Sequence, residues 1–206
     1  MPRPETLPSL ARWTRATALG WALGVPLVVL LSVLAEAGDV EGLQSPIGLG
    51  MGLALGLVQL GALRARGARS SSWFWATFAG LSLPFAAIDL ARLAGIMVPD
   101  SLYVAVPVGG LLAGLLQALA LRSAGVRPLL WSLASTLGWS LATASVALAD
   151  SLRHLSLLHG LAGALLYLML AAAGGPLLGL ATGLALRHAS RAAVASPSTD
   201  LEQAPG

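Results

Sequence analysis

The sequence has no cysteine and no lysine. Without thiols there is no disulfide, no thiolate metal site and no cysteine nucleophile. All twelve basic residues are therefore arginines, and they fall between apolar runs rather than in one patch, so the net charge of +3 is no nucleic-acid signature. A lysine-free chain rich in Ala, Leu and Gly fits a GC-rich bacterial genome. Charge itself is scarce: 10% of residues, against about 25% in a soluble domain. No P-loop, dinucleotide fingerprint or pair of catalytic carboxylates occurs. His154, His159 and His188 have no carboxylate at metal-ligand spacing. These absences point away from an enzyme and from any cofactor or metal.

What fills the chain instead is hydrocarbon, 56% of its residues. Apolar runs long enough to cross about 30 Å of lipid recur throughout, which predicts an all-α polytopic membrane protein. Six spans are expected, over 13–35, 46–63, 73–94, 102–121, 129–149 and 162–186. A polar lead-in with Pro2, Pro4 and Pro8 occupies 1–12, and a small, polar, disordered tail is expected over 188–206. The first span resembles a signal peptide in its flanks, with Arg12 and Arg15 before it and Ala35-Glu36-Ala37 after it. Its length, and its membership in a repeated pattern, favour a retained helix. Ser151 to His159, rich in leucine, reads as a segment lying along the interface.

The repeat is written in matched columns. Three glycine-rich stretches end at Arg64, Arg122 and Arg187, and counting back from each gives Leu63/Leu121/Leu186, Ala62/Ala120/Ala185, Gln59/Gln117/Thr182 and Gly56/Gly114/Gly179. A second pattern, Trp-x6-Gly, opens the other spans: Trp13 to Gly20, Trp73 to Gly80, Trp131 to Gly138. Thr17, Thr77 and Ser135 hold one matched place inside it, after Ala16, Ala76 and Ala134. The unit is a helical hairpin of about 60 residues, repeated three times over 13–64, 73–122 and 131–187.

Arginine placement sets the orientation. With the N-terminus inside, Arg3, Arg12, Arg15, Arg64, Arg66, Arg69, Arg122, Arg127, Arg187 and Arg191 are cytoplasmic, and only Arg92 and Arg153 are outside. That is a strong positive-inside bias, and it predicts both termini in the cytoplasm of a bacterial inner-membrane protein.

Glycines four apart are the main chemical theme, as in Gly48/Gly52/Gly56, Gly110/Gly114 and Gly175/Gly179/Gly183. In lipid, helices associate through close backbone approach, which glycine permits at that spacing. Gln59, Gln117 and Thr182 lie five residues, about 7.5 Å of helical rise, before the terminal arginines. Such polar groups within a span want partners in the protein. Two readings stay open: hydrogen bonds that fix how the hairpins meet, or a polar ring about a pseudo-threefold axis that contacts a solute. Arg64, Arg122 and Arg187 read as cytoplasmic anchors for helix ends and lipid phosphate. Trp13, Trp73, Trp75 and Trp131 read as an interfacial belt, with Trp21 and Trp139 deeper. Asp89 and Arg92, three apart, read as a local ion pair at the outer boundary. Pro26, Pro84, Pro107 and Pro176 fall inside spans as possible kinks.

The alternation of Trp-x6-Gly openings with glycine-rich helices ending Gln-x4-Arg resembles uncharacterised repeat membrane proteins of cyanobacteria and filamentous phototrophic bacteria. The resemblance covers the chain apart from its two tails and implies no activity. Three-repeat mitochondrial carriers differ, because their Pro-x-[Asp/Glu]-x-x-[Lys/Arg] signature is absent. His159-Gly160-x-x-Gly163 faintly resembles the histidine helix of rhomboid proteases, yet no Gly-x-Ser-Gly nucleophile accompanies it. The leading expectation is a non-enzymatic structural or accessory subunit, whose glycine-rich faces pack in the bilayer against itself or a membrane-protein partner. The alternative is a small-solute transporter or channel component with Gln59, Gln117 and Thr182 facing a cavity.

Overall fold

A lipid environment leaves backbone N–H and C=O groups no water to bond, so an apolar chain must pair them internally. The chain does so as helices. The computed structural model describes residues 7–64, 71–121, 126–155 and 159–195, with no strand among them. In order come α1 (Leu10–Ala37), α2 (Ser45–Arg64), α3 (Ser72–Leu93), α4 (Ser101–Ala120), α5 (Pro128–His154) and α6 (Gly160–Ala195). All six are long and apolar enough to cross a membrane. Local chemistry fixes several ends. The Ser9 hydroxyl accepts from Arg12 N at 3.4 Å ahead of α1, and Pro128 opens α5 where its missing N–H is harmless. Pro26, Pro84, Pro107 and Pro176 are carried inside helices.

The helix bounds correct the sequence reading in three places. The first helix starts at Leu10, inside the stretch read as a lead-in, because Ser9 supplies a cap one turn before Trp13. Ser151 to His154 continue α5 and do not begin a separate segment, and residues 156–158 fall outside the described residues. Finally, α6 runs on to Ala195, so Arg187 lies within a helix and not at its end, and the expected tail begins as helix. Nothing in 188–195 breaks a helix: the segment holds four alanines, a valine and no glycine or proline. The remaining tail, 196–206, lies outside the described residues.

Each helix packs on its neighbours in sequence, and α6 closes back on α1, so the six form a ring. A glycine lies at every seam, where an added side chain would meet the backbone or a side chain of the facing helix. Within the first, third and fifth helices, a Cβ on Gly20 would lie 3.0 Å from Leu55 Cα, one on Gly80 2.5 Å from Ala113 N, and one on Gly138 2.8 Å from Leu178 Cδ1. These are contacts to the helix that follows. Gly56, Gly114 and Gly179 close the alternate seams. Added Cβ atoms there would lie 3.1 Å from Phe74 Cδ2, 2.8 Å from Ser132 Cα and 2.8 Å from Thr14 Cα. Large aliphatic side chains such as Leu34, Leu57, Leu83, Leu137 and Leu168 are left pointing outward. Two buried apolar clusters fill the inside, one around Trp13, Trp73, Trp131 and Leu186, the other around Trp21, Leu55, Phe85 and Trp139.

Candidate functional site: a polar level on the ring axis

The odd-numbered helices carry Trp and, four residues later, Thr or Ser, which places both on one helix face. That face turns inward. Trp13, Trp73 and Trp131 meet edge to face, with centroids 5.6, 5.7 and 6.3 Å apart, and all three are buried to within 2% exposure. Such T-shaped contacts suit the ring quadrupoles and fill the axis. This corrects the belt reading for these three. An indole ring is apolar in body and polar at one edge, so it serves a wet interface or an interior with an acceptor equally well. Here the acceptors lie inside. Of the four tryptophans read as a belt, Trp75 alone is exposed, at 60%.

One turn along, the Gln59/Gln117/Thr182 column comes together with Thr17, Thr77 and Ser135, and all six are buried. Hydrogen bonds link neighbouring helices at this level. Gln59 Nε2 donates to Thr17 Oγ1 at 3.1 Å, and Gln117 Nε2 donates to Thr77 Oγ1 at 2.8 Å. The amide oxygens face the next helix. Trp131 Nε1 donates to Gln117 Oε1 at 3.1 Å, and Trp13 Nε1 donates to Thr182 Oγ1 at 2.9 Å. Thr182 in turn donates to Leu178 O at 2.7 Å, and Ser135 to Gly110 O at 2.8 Å. By the same rule Trp73 should meet Gln59. Instead Trp73 Nε1 and Gln59 Oε1 are both buried without a partner.

The column therefore lines one small chamber, which Gln59, Thr77, Gln117, Ser135 and Thr182 share with Trp13 and Trp131 on one side. Leu55, Trp139 and Leu178 line its other side. Trp21 stacks beside Trp139 at 5.9 Å and donates from Nε1 to Ala171 O at 3.0 Å. The chamber offers about 10 Å³ to the centre of a water molecule. That is the size of a single water, not of a solute path. Gly56, Gly114 and Gly179 stand one turn from the polar level and press on the helices that bear Thr77, Ser135 and Thr17.

Of the arginine anchors, Arg64 ends α2 and is exposed, Arg187 is exposed on α6, and Arg122 lies outside the described residues. Asp89 and Arg92 are used differently from the expected mutual pair. Asp89 Oδ1 accepts from Gln44 N at 2.8 Å and Oδ2 from Ser45 N at 2.7 Å, so the carboxylate caps the start of α2. Arg92 Nη1 donates to Gly42 O. Both residues clasp the α1–α2 loop, whose free backbone groups outcompete an ion pair three residues away on the same helix. Spacing alone could not have shown this, since the partners are some forty-five residues distant in sequence. The Trp-x3-Thr/Ser spacing, in contrast, was a visible signal for an inward face. Comparison with known proteins finds no matching family model, curated protein or solved structure, so the site must be read from its own chemistry.

Proposed function

We propose that this protein is a multi-pass bacterial inner-membrane protein, with both termini cytoplasmic, that acts as a non-enzymatic structural or accessory subunit. In this reading the ring is three copies of one helical hairpin about a pseudo-threefold axis. The odd-helix glycines close each hairpin, and the even-helix glycines close one hairpin on the next. The observation that carries it is the filled axis: Trp13, Trp73 and Trp131 interlock across one end of the polar level. A transporter needs a route past that point, and a residue set engaged in mutual hydrogen bonds leaves few groups to bind a solute.

The outside of the ring supports a partner. Only 17% and 22% of the most apolar windows of α1 and α6 are buried, against 67% for α2. An apolar groove of about 440 Å³ runs at the α1–α6 seam, between Ala11, Thr14 and Ala18 on one side and Pro176 and Leu180 on the other. Helices that bury little of themselves at a small-residue seam suit contact with another membrane helix. Two measurements test the reading together. Native mass spectrometry from mild detergent should give an assembly of fixed stoichiometry, and proteoliposomes should show no ion or small-solute flux above protein-free vesicles. Flux that disappears in Gln59→Leu would instead establish the transporter alternative.

A further inference from the structure

Arg92 lies in the last turn of α3 and Arg153 in the last turn of α5. The first turns of these two helices meet through Trp73 and Trp131, so both arginines stand at the opposite end of the ring. The structure uses them differently. Arg92 is engaged within the protein, where its Nη1 donates to Gly42 O. Arg153 is exposed and, among the described residues, makes no hydrogen bond or ion pair. The acid three residues before it is held elsewhere, since Tyr167 OH donates to Asp150 Oδ1 at 3.1 Å.

This unengaged guanidinium lines a cleft of about 390 Å³, and it is the only α5 residue to do so. The other wall is one stripe of α6: Gly160, Gly163, Ala164, Tyr167 and Leu168. Steps of three and four residues put all five on one helix face. Glycine and alanine hollow the cleft because they carry nothing beyond Cβ. The stripe covers eight residues, about 12 Å of helical rise from the start of α6 into its apolar length. The cleft is thus cationic where the helices end and hydrocarbon-lined where they run on. A guanidinium donates paired hydrogen bonds to phosphate oxygens. From this juxtaposition we propose that the cleft binds one phospholipid with an anionic, single-phosphate head. The phosphate sits at Arg153, and one acyl chain lies along Gly163, Ala164 and Leu168. The site rests on the reading of the chain as membrane-spanning and holds whichever partner or solute the whole protein has.

The test is native mass spectrometry of the full chain in mild detergent, titrated with phosphatidylglycerol and, separately, with phosphatidylethanolamine or excess inorganic phosphate. The native chain should hold one phosphatidylglycerol in preference to phosphatidylethanolamine, and inorganic phosphate should not displace it. Arg153→Gln should weaken that binding about fivefold, the worth of one arginine beside an anionic lipid. Ala164→Phe keeps the charge but fills the cleft, and should weaken it as well. Both positions are exposed, so both variants should fold. Arg64→Gln, at the other end of the bundle, should bind as the native chain does. Unchanged binding in either cleft variant overturns the proposal, as does an equal loss in Arg64→Gln, equal retention of the two lipids, or displacement by inorganic phosphate. Recovery of the chain in lipid nanodiscs tests the membrane-spanning reading separately.

Discussion

Replacing Gly80 by alanine probes the tightest point of the ring. The new Cβ would lie 2.5 Å from Ala113 N and 2.7 Å from Ala113 Cβ, and closer still to Ala113 Cα. Backbone atoms cannot rotate aside, so α3 and α4 must separate by at least roughly 0.9 Å to approach the 3.4 Å of an ordinary contact. The polar level is one turn away. If the opening is transmitted there, the 2.8 Å bond from Gln117 Nε2 to Thr77 Oγ1 stretches to roughly 3.7 Å, beyond hydrogen-bond reach. Overpacking costs about 1–3 kcal/mol, and a lost interhelical hydrogen bond about 0.6 kcal/mol or somewhat more. Helix propensity returns about 1 kcal/mol for the exchange of glycine for alanine. The expected net effect is a destabilisation of about 2 kcal/mol, read by equilibrium unfolding in mixed micelles with increasing dodecyl sulfate. Gly61→Ala is the control: nothing lies within 4 Å of its Cβ, so only the propensity gain applies and the variant should match or exceed the native stability. If Gly80→Ala unfolds at the native midpoint, or if both variants are weakened alike, close backbone approach is not what holds this seam.

Other perturbations separate the remaining parts of the account. Gln117→Leu breaks two bonds, to Thr77 and from Trp131, and should cost about 1 kcal/mol more than Gln59→Leu, which breaks one, in the same unfolding assay. Asp89→Asn leaves a neutral amide with one acceptor oxygen at the start of α2, so the Gln44 and Ser45 amides should exchange hydrogen at least several-fold faster, with a stability loss of about 1 kcal/mol. Among single-tryptophan variants, only the one retaining Trp75 should be strongly quenched by brominated acyl chains; comparable quenching of Trp13 or Trp131 would put the aromatic cluster at the lipid face. Because the chain contains no cysteine, Val40→Cys and Arg64→Cys can each be labelled alone in intact cells. Reagents that do not cross the membrane should reach the first and not the second.

A membrane helix hides its inside from the usual reading of a sequence. Periodic hydrophobicity separates core from water in a soluble helix, but lipid is as apolar as the core, so leucines on either face look alike. Leu55 is buried and Leu57 exposed, two residues apart on α2, and nothing in their chemistry says so. What remains legible are residues that lipid disfavours or that backbones need. Gln59, Gln117 and Thr182 had to seek partners in the protein, and the glycine columns marked where helices could approach. Tryptophan by its own chemistry carried no such sign, and only its Trp-x3-Thr/Ser spacing marked an inward face.

From sequence alone came the helical class, the number of helices, their approximate bounds and the columns of glycine and polar residues. These follow from the length of apolar runs against bilayer thickness and from local caps, which act within a few residues. The tertiary structure alone decided that α6 closes on α1, that three tryptophans interlock on the axis, and that Asp89 holds the start of α2 instead of Arg92. Each of those depends on groups brought together from distant parts of the chain. In such a setting the better-matched partner wins, and spacing along one helix says little about which partner that is.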